Sequence, residues 1–209
     1  MAMSIRLIVA AALSAAALVS CGPESAACDR AVVIDSVEYP VPERWCERWV
    51  DSTKWAEPTS LVRLPFELTK DSSRIYVTPA TRDAFIAMAA AARKDSILLI
   101  TDSGFRSPGF QRRLIKKRMA LGQTFDEAVR FVAPPGFSQH HTARALDLVP
   151  SEARFADTEA YKWLRENAGD FGFEETYPEP ENGDDYEYWE AWHWYYVGAG
   201  AESEAPNQD

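Results

Sequence analysis

The alternation of apolar and polar residues divides most of this chain into helix-like and strand-like segments. Apolar positions at helical spacing, bounded by capping residues or glycines, predict helices over residues 79–93, 108–120, 124–132 and 157–168. Their starts include Thr78 before a proline, Thr124 with capping-box spacing to Glu127, and Asp157. Short apolar runs predict buried strands over residues 97–101, 143–149 and 192–197, with a further short strand at 32–34.

Helices and strands alternate irregularly, and the strands are too short and too few for a doubly wound parallel sheet. The pattern therefore predicts an α+β fold, in which helices flank one small, mostly antiparallel sheet. About 190 residues follow the first twenty, enough for one domain with a sizeable core. Residues 21–60, rich in proline, tryptophan and charge, are expected to tether or wrap that domain. The acidic residues 199–209 are expected to be a disordered tail.

Residues 1–20 have the pattern of a bacterial signal peptide. Arg6 precedes an apolar, alanine-rich stretch that is too short to span a membrane comfortably. The segment ends in Leu-Val-Ser-Cys, which resembles a lipobox and predicts lipid attachment to Cys21. A plain secretory signal, cut near residues 25–27, is the alternative. Gly22 after the cysteine favours the outer membrane of a double-membraned bacterium, so we expect an exported lipoprotein facing the periplasm or cell wall.

Two cysteines, Cys28 and Cys46, remain after Cys21 is assigned to the lipid. In an exported protein they suggest one disulfide, and two free buried thiols are the alternative. The formal net charge is −10, and the one basic cluster, at residues 112–118, lies on a predicted helix. Nucleic-acid binding is therefore disfavoured, and no protein partner is implied.

Two short segments contain all three histidines of the chain. S-Q-H-H-T-A-R-A-L-D, at residues 138–147, contains His140 and Asp147, and E-A-W-H contains Glu190 and His193. Two imidazoles and one carboxylate are typical ligands of a catalytic zinc site, because three protein ligands leave a fourth position for water. Glu190 would then be a carboxylate beside the metal, as a general base for that water requires.

The spacing alone leaves other arrangements open. Asp147 lies in an apolar run, where an unpaired carboxylate is costly to bury, and either a metal or an arginine such as Arg106 would neutralise it. Glu190 precedes His193 by three residues, so on a regular strand the two side chains would point to opposite faces. They can share a site only if the strand begins near Trp192 or is bulged.

These segments resemble the zinc D-alanyl-D-alanine carboxypeptidase family of the VanY type, whose pattern is S-x-H-x-x-G-x-A-x-D followed by E-x-W-H. The matching positions are Ser138, His140, Ala145 and Asp147, then Glu190, Trp192 and His193. Upstream, S-G-F-R-S-P-G-F-Q at residues 103–111 resembles the family's S-G-[YF]-R-S-x-x-x-Q segment. The resemblance covers about residues 61–198, with its motifs in the family's order.

The resemblance implies a zinc D,D-peptidase (Hedgehog/D,D-peptidase) fold over residues 61–198, with Zn²⁺ on His140, Asp147 and His193. The implied activity is hydrolysis of peptide bonds in peptidoglycan stem peptides, by a D,D- or L,D-carboxypeptidase. Glu190 is then the general base for the zinc-activated water, and Arg106 stabilises the oxyanion or binds the terminal carboxylate of the substrate. Further substrate contacts are implied for the polar residues Ser107, Gln111 and Ser138.

Two positions depart from the family pattern. Ala143 replaces a glycine, a small change unless that backbone needs a positive φ. Tyr195 stands where an arginine is common, which removes a cation near the site. Both departures support an alternative, a wall-binding lipoprotein with weakened catalysis, but the complete ligand set and Glu190 favour an enzyme. A second alternative, an endopeptidase that cuts cell-wall cross-links, keeps the same site and changes only the groove.

Overall fold

The computed structural model describes residues 27–178 and 189–198 of the chain. The predicted signal peptide, Cys21, the acidic stretch at 179–188 and the tail at 199–209 lie outside the described residues. None of the described helices has the length and apolar character needed to cross a membrane.

Short strands, α-helices and 3₁₀ turns make up the described chain. The strands are β1 (Ala27–Ile34), β2 (Val37–Pro42), β3 (Val62–Arg63), β4 (Tyr76–Val77), β5 (Thr101–Ser103), β6 (Ala145–Leu148), β7 (Phe173–Glu175) and β8 (His193–Tyr196). The α-helices are α1 (Pro79–Lys94), α2 (Pro108–Ala120), α3 (Phe125–Ala128) and α4 (Glu159–Asn167). The central sheet has the strand order β5–β6–β8–β7, and every neighbouring pair is antiparallel. The expected α+β class with a small antiparallel sheet is confirmed.

The first hydrophobic core lies between this sheet and the helices α1 and α4. Its buried side chains include Phe85 and Met88 of α1, Leu164 of α4, and Leu146 and Leu148 of β6. Because side chains alternate along a strand, the residue between the two leucines points to the opposite face of the sheet. That residue is Asp147, and the candidate site is built on that opposite face.

The helix starts follow their capping residues. The Thr78 hydroxyl accepts the Thr81 N–H, and the Ser107 hydroxyl accepts the Phe110 N–H, both at 3.1 Å. As a result, α1 and α2 match the predicted bounds to within one residue. The capping box of Thr124 is present, but α3 ends at Ala128, earlier than the predicted 132.

Two sequence predictions need correction. The cap of α4 is Thr158 rather than Asp157, because the Thr158 hydroxyl accepts the Tyr161 N–H at 3.1 Å. The strand predicted at 97–101 begins only at Thr101, which pairs with Leu148, the last residue of β6. The apolar run before Thr101 therefore lies beyond the end of its partner strand, and Leu98 within it is 60% exposed.

The N-terminal segment is a hairpin followed by a 3₁₀ turn. β1 is longer than the predicted strand at 32–34, and it pairs with β2 through a turn in which both Asp35 and Ser36 have positive φ. A disulfide joins Cys28 to Cys46, which lies in the turn Glu43–Arg48. Apolar residues of the segment pack on the side chains around α2 and α3 and form a second core: Val32, Ile34, Val41 and Trp45 against Ile115, Phe125, Ala128, Val129 and Phe137.

Candidate active site

Three separate elements bring His140, Asp147 and His193 together. His140 lies in the 3₁₀ turn Gln139–Thr142, Asp147 in β6, and His193 is the first residue of β8, directly opposite Asp147 in the ladder. One potential ligand atom from each side chain lies within 4.8 Å of the others, and all three residues are buried. The structure thus brings together the three residues predicted as metal ligands.

The His140 imidazole directs its Nε2 atom into this cluster. Its Nδ1 lies 2.6 Å from the backbone carbonyl oxygen of Gly104, which can only accept, so Nδ1 carries the proton and donates it. Burial, followed by the charge of Arg106, lowers the pKa of His140 to about 4. The ring is therefore neutral near pH 7, and Nε2 offers a lone pair.

The His193 imidazole is held by a polar chain that crosses to β7. Its Nε2 donates to Gln139 Oε1 at 2.8 Å, and the same oxygen accepts a hydrogen bond from the Thr176 hydroxyl at 2.7 Å. The lone pair of His193 Nδ1 then faces Asp147 Oδ1 at 3.0 Å. Two acceptors that face each other in a buried site are stabilised by a cation, so this donor set fits a metal ion.

Arg106 is in direct contact with the same ligand atoms. Its Nη2 contacts Asp147 Oδ2 and lies 2.7 Å from His140 Nε2, while its Nε donates to Ser103 Oγ at 2.8 Å. Burial opposes ionisation of Asp147, but the charge that His140 carries when protonated at low pH and the charge of Arg106 hold the pKa of this carboxyl well below its usual range. The carboxylate is therefore anionic, and the arginine considered from the sequence does contact it.

Glu190 shares the site because β8 begins only at His193. A tight turn, closed by a 2.7 Å hydrogen bond from the His193 N–H to the Glu190 carbonyl, precedes the strand, so strand alternation does not apply to Glu190. Glu190 Oε2 lies 3.7 Å from His193 Nδ1. Burial raises the pKa of the Glu190 carboxyl, as is typical of carboxylates that exchange protons near neutral pH.

Tyr177 supports the Glu190 turn from the side. Its backbone carbonyl accepts the Glu190 N–H at 3.1 Å, and its ring centre lies 4.9 Å from that of His193. Burial, then the charge of Glu190, raises the pKa of the Tyr177 hydroxyl, so the phenol stays protonated. Sequence reasoning identified neither Tyr177 nor Gln139. For Gln139 the available signal was its position between Ser138 and His140.

A cleft of about 200 Å³ opens above the cluster. The cleft is lined by the three predicted ligands, by Glu190 and by Arg106. Its other lining residues are Trp45, Gln111, Phe131, Val132, Ala133, Ser138, Gln139, Ser151, Tyr177 and Trp192. The cleft is therefore lined by polar and apolar side chains together, a composition that suits the binding of a small ligand.

The residues predicted to contact the substrate divide into two groups. Gln111 and Ser138 are buried and line the cleft, and Gln111 Oε1 has no hydrogen-bond partner among the described residues. Gln111 is therefore not the exposed helix residue that its position alone would suggest. Ser107 does not line the cleft, because its hydroxyl caps α2.

His141 lies outside the ligand cluster although it follows His140 directly. Its Nδ1 donates to the Arg106 carbonyl at 2.7 Å, and its Nε2 accepts the Gly136 N–H at 3.1 Å. Burial lowers the pKa of His141, so this ring is a neutral structural link. The two histidines diverge because they lie in a 3₁₀ turn.

The structure accommodates both departures from the family pattern. Ala143 has φ +57°, so the position does need a left-handed backbone, and this alanine adopts it at the turn before β6. A cation remains near Tyr195, because the Arg144 guanidinium carbon lies 5.3 Å from the Tyr195 ring centre. Neither departure disturbs the cluster.

The model of the VanY family, D-alanyl-D-alanine carboxypeptidase, matches residues 74–199. The chain belongs to this family. It is 34% identical over 152 residues to YodJ of Bacillus subtilis, which has a provisional carboxypeptidase name. It is 31% identical over 142 residues to a D-alanyl-D-alanine carboxypeptidase of Enterococcus faecalis. These alignments cover 68% and 64% of this chain but 55% and 52% of the relatives, so the chain spans about half the length of these curated relatives.

Two solved structures share the fold. The LdcB LD-carboxypeptidase aligns with a TM-score of 0.62 at 27% identity, over 82% of this chain and 85% of LdcB. VanYB in complex with D-alanine-D-alanine aligns with a TM-score of 0.52 at 27% identity, over 72% of this chain and 85% of VanYB. The predicted zinc D,D-peptidase fold is confirmed. The cofactor of this VanY-family site is Zn²⁺, since two imidazoles and one carboxylate form the donor set of a catalytic zinc centre.

Proposed function

We propose that this protein is a zinc-dependent carboxypeptidase that removes a C-terminal D-amino acid from peptidoglycan stem peptides. The observation that carries the proposal is the buried cluster of His140, Asp147 and His193, with Glu190 beside it, on the floor of one cleft. The LD-carboxypeptidase name of LdcB and the D-alanine-D-alanine bound to VanYB support this class of substrate.

The proposed zinc ligands are His140 Nε2, a carboxylate oxygen of Asp147 and His193 Nδ1. The neutral state of His140 and the ionised state of Asp147 are the protonation states that zinc binding needs. When bound, zinc acts as a Lewis acid and lowers the pKa of a coordinated water to about 7. The hydrogen bonds to Gly104 and Gln139 fix the orientation of the two imidazoles.

Glu190 is the proposed general base. It lies beside the ligand cluster, and its raised pKa suits proton exchange near neutral pH. It accepts the proton of the attacking water at its carboxylate and then delivers it to the leaving amine. A carboxylate beyond the ligand set can perform this transfer without leaving the metal short of a ligand.

Arg106 is the proposed electrostatic partner of the substrate. Its guanidinium lies at the ligand cluster and is oriented by Ser103 Oγ. A positive charge there stabilises the oxyanion that forms on the scissile carbonyl, or binds the terminal carboxylate of the peptide. Two further residues of the same cleft are proposed to contact the peptide: Ser138, and Gln111, whose side-chain carbonyl oxygen has no partner within residues 27–178 and 189–198.

Defined stem peptides test the activity. The zinc-loaded protein is incubated with a pentapeptide ending in D-Ala-D-Ala, with the tetrapeptide ending in one D-Ala, and with a cross-linked dimer. Mass spectrometry then identifies each released fragment. Loss of one alanine from the pentapeptide indicates D,D-carboxypeptidase activity, loss from the tetrapeptide indicates L,D-carboxypeptidase activity, and separation of the dimer indicates an endopeptidase. Peptides that bind but remain intact would instead support the wall-binding alternative.

We also propose, from the sequence pattern alone, that Cys21 carries the lipid that anchors the protein to the membrane facing the cell wall. The expected result is that the wild-type protein sediments with membranes, while Cys21→Ser is released into the soluble exported fraction. A wild-type protein that is fully soluble and begins beyond Cys21 would show that the lipid anchor is absent.

A further inference from the structure

One wall of the cleft comes from the N-terminal segment, which precedes the part of the chain matched by the family. The match begins at residue 74, whereas Trp45, which lines the cleft, lies in the turn Glu43–Arg48. Trp45 is 6% exposed, and its indole N–H donates to the Val129 carbonyl at 3.0 Å. This wall is therefore a fixed part of the groove.

Arg48 lies between this wall and the catalytic turn. Its guanidinium carbon is 5.6 Å from the Trp45 ring centre and 4.6 Å from the Tyr177 ring centre. A guanidinium over an aromatic face is attracted by the ring quadrupole, and the attraction grows where water is excluded. Arg48 thus joins an aromatic residue of the N-terminal segment to one beside the active site, and both rings line the cleft.

Tyr177 in turn contacts two residues of the proposed catalytic machinery. Its carbonyl accepts the Glu190 N–H at 3.1 Å, and its ring packs on the His193 ring at 4.9 Å. A shift of Tyr177 would therefore move the Glu190 turn. A displacement of about 1 Å in a catalytic group can cost on the order of a hundredfold in rate.

The backbone of Arg48 is held on both sides. Two residues before it, Cys46 is joined by the disulfide to Cys28 in the hairpin. Two residues after it, the Val50 N–H donates to the Gly136 carbonyl at 2.9 Å. Because its backbone is held in place, the Arg48 side chain can determine the position of the neighbouring Tyr177 ring.

We propose that Arg48 is a positioning residue for catalysis, which holds Tyr177, and through it the Glu190 turn, against a wall supplied by the disulfide-linked segment. The inference rests on the proposed peptidase function. It assigns the N-terminal segment a role in turnover in addition to its role in stability.

Arg44 provides a matched control. It lies on the same 3₁₀ turn but is not among the residues that line the cleft, and its guanidinium donates to the Asp126 carbonyl at 2.8 Å and to the Asp126 carboxylate at 3.2 Å. A loss of charge or packing at Arg44 should therefore affect stability without affecting the Glu190 turn.

The experiment compares Arg48→Met, Arg48→Lys and Arg44→Met in the full mature protein, with the stem peptide that the wild type cleaves. Arg48→Met keeps an unbranched apolar stem but removes the guanidinium and its charge. We expect it to lower kcat about tenfold to a hundredfold, with KM changed less than about threefold. Arg48→Lys keeps a cation over the rings and should recover most of the lost kcat. Arg44→Met should keep the wild-type kcat.

Zinc content and Tm, measured for each variant, separate positioning from damage to the fold. The inference predicts about one zinc per chain in all three variants and a Tm no lower for Arg48→Met than for Arg44→Met. The positioning role of Arg48 is wrong if the Arg48→Met and Arg44→Met variants have the same kcat. It is also wrong if kcat falls in proportion to Tm in both of these variants. A wild-type protein that cleaves none of the stem peptides would instead refute the proposed function.

Discussion

Two regions of this molecule meet at one cleft, and they are stabilised by different means. On the open face of the sheet, polar side chains are oriented by backbone carbonyls and by each other, as His140 is by Gly104 and His193 is by Gln139. In the N-terminal segment, the hairpin and the turn are held by apolar packing and a disulfide. The reactive groups and the groove that contains them therefore depend on separate interactions, which separate substitutions can disturb.

The largest expected effect is confined to the catalytic region. Glu190→Gln keeps the shape of the side chain but removes the base, so turnover should fall ~10²–10⁴-fold. Zinc content and Tm should stay near the wild-type values, because Glu190 is not a proposed ligand. Steady-state kinetics, metal analysis and thermal unfolding measure the three quantities.

Glu174→Gln is the matched control for Glu190→Gln. Glu174 is also a partly buried glutamate with a raised pKa caused by burial, but it lies in β7 and does not line the cleft. It should retain full turnover. Equal rates for Glu190→Gln and the wild type would show that the proposed base is wrong.

Removing the disulfide should act mainly on the N-terminal region. The bond closes a loop with a sequence separation of 18, and loops of this size contribute about 3 kcal/mol. The double substitution Cys28→Ser with Cys46→Ser should therefore lower Tm by about 6–12 °C for a chain of this length. Zinc content should remain unchanged, since the ligands come from other elements. A Tm within about 2 °C of the wild type would mean that the second core alone holds the segment.

Gly136→Ala tests the junction between the two regions. Gly136 has φ +93°, and a Cβ there would lie 2.5 Å from the Trp49 ring. The backbone strain and the steric clash together should cost about 2 kcal/mol of unfolding free energy. Gly122→Ala is the control, because Gly122 has φ +94°, but among the described residues beyond its two chain neighbours no heavy atom lies within 4 Å of the added Cβ. A difference near zero between the two variants would show that the Trp49 contact contributes nothing.

The smallest effect is expected at Ala143. Ala143→Gly relieves a left-handed backbone at φ +57° but removes a buried methyl group, two effects of about 1 kcal/mol and opposite sign. Tm should therefore change by less than about 3 °C, and kcat should stay within about twofold. A large gain in turnover would instead mean that this departure from the family pattern weakens the enzyme. Ala143→Val, which is β-branched at positive φ, should be clearly destabilised.

The sequence predicted best those elements whose signals are local. The bounds of α1 and α2 follow from Thr78 and Ser107, since a capping side chain and the helix it starts are neighbours in the chain. The strand at 97–101 was misplaced because hydrophobicity indicates burial, whereas the ladder depends on where the partner strand ends, here at Leu148. Pairing over such a distance has no local signature.

The same distinction applies to the site. His140, Asp147, Glu190 and His193 lie in two short segments, whose residue types suggested a metal site and whose resemblance to a family pattern assigned each residue its role. Tyr177 and Trp45 reach the cleft only through tertiary packing, and an isolated aromatic residue in a sequence is most often part of a core. The supporting residues of a site are therefore harder to predict than its ligands.

The position of β8 determines when the proposed active site can first be assembled. β8 is the last strand in sequence among the described residues, yet it lies inside the sheet, between β6 and β7. Until it is synthesised, β7 has no partner in the sheet, and both His193 and Glu190 are missing from the cleft. A ribosome-bound or truncated chain that lacks β8 therefore cannot hydrolyse peptides by this mechanism. By the mechanism proposed here, hydrolysis therefore requires that the chain be synthesised at least as far as β8, which contributes His193 to the cleft.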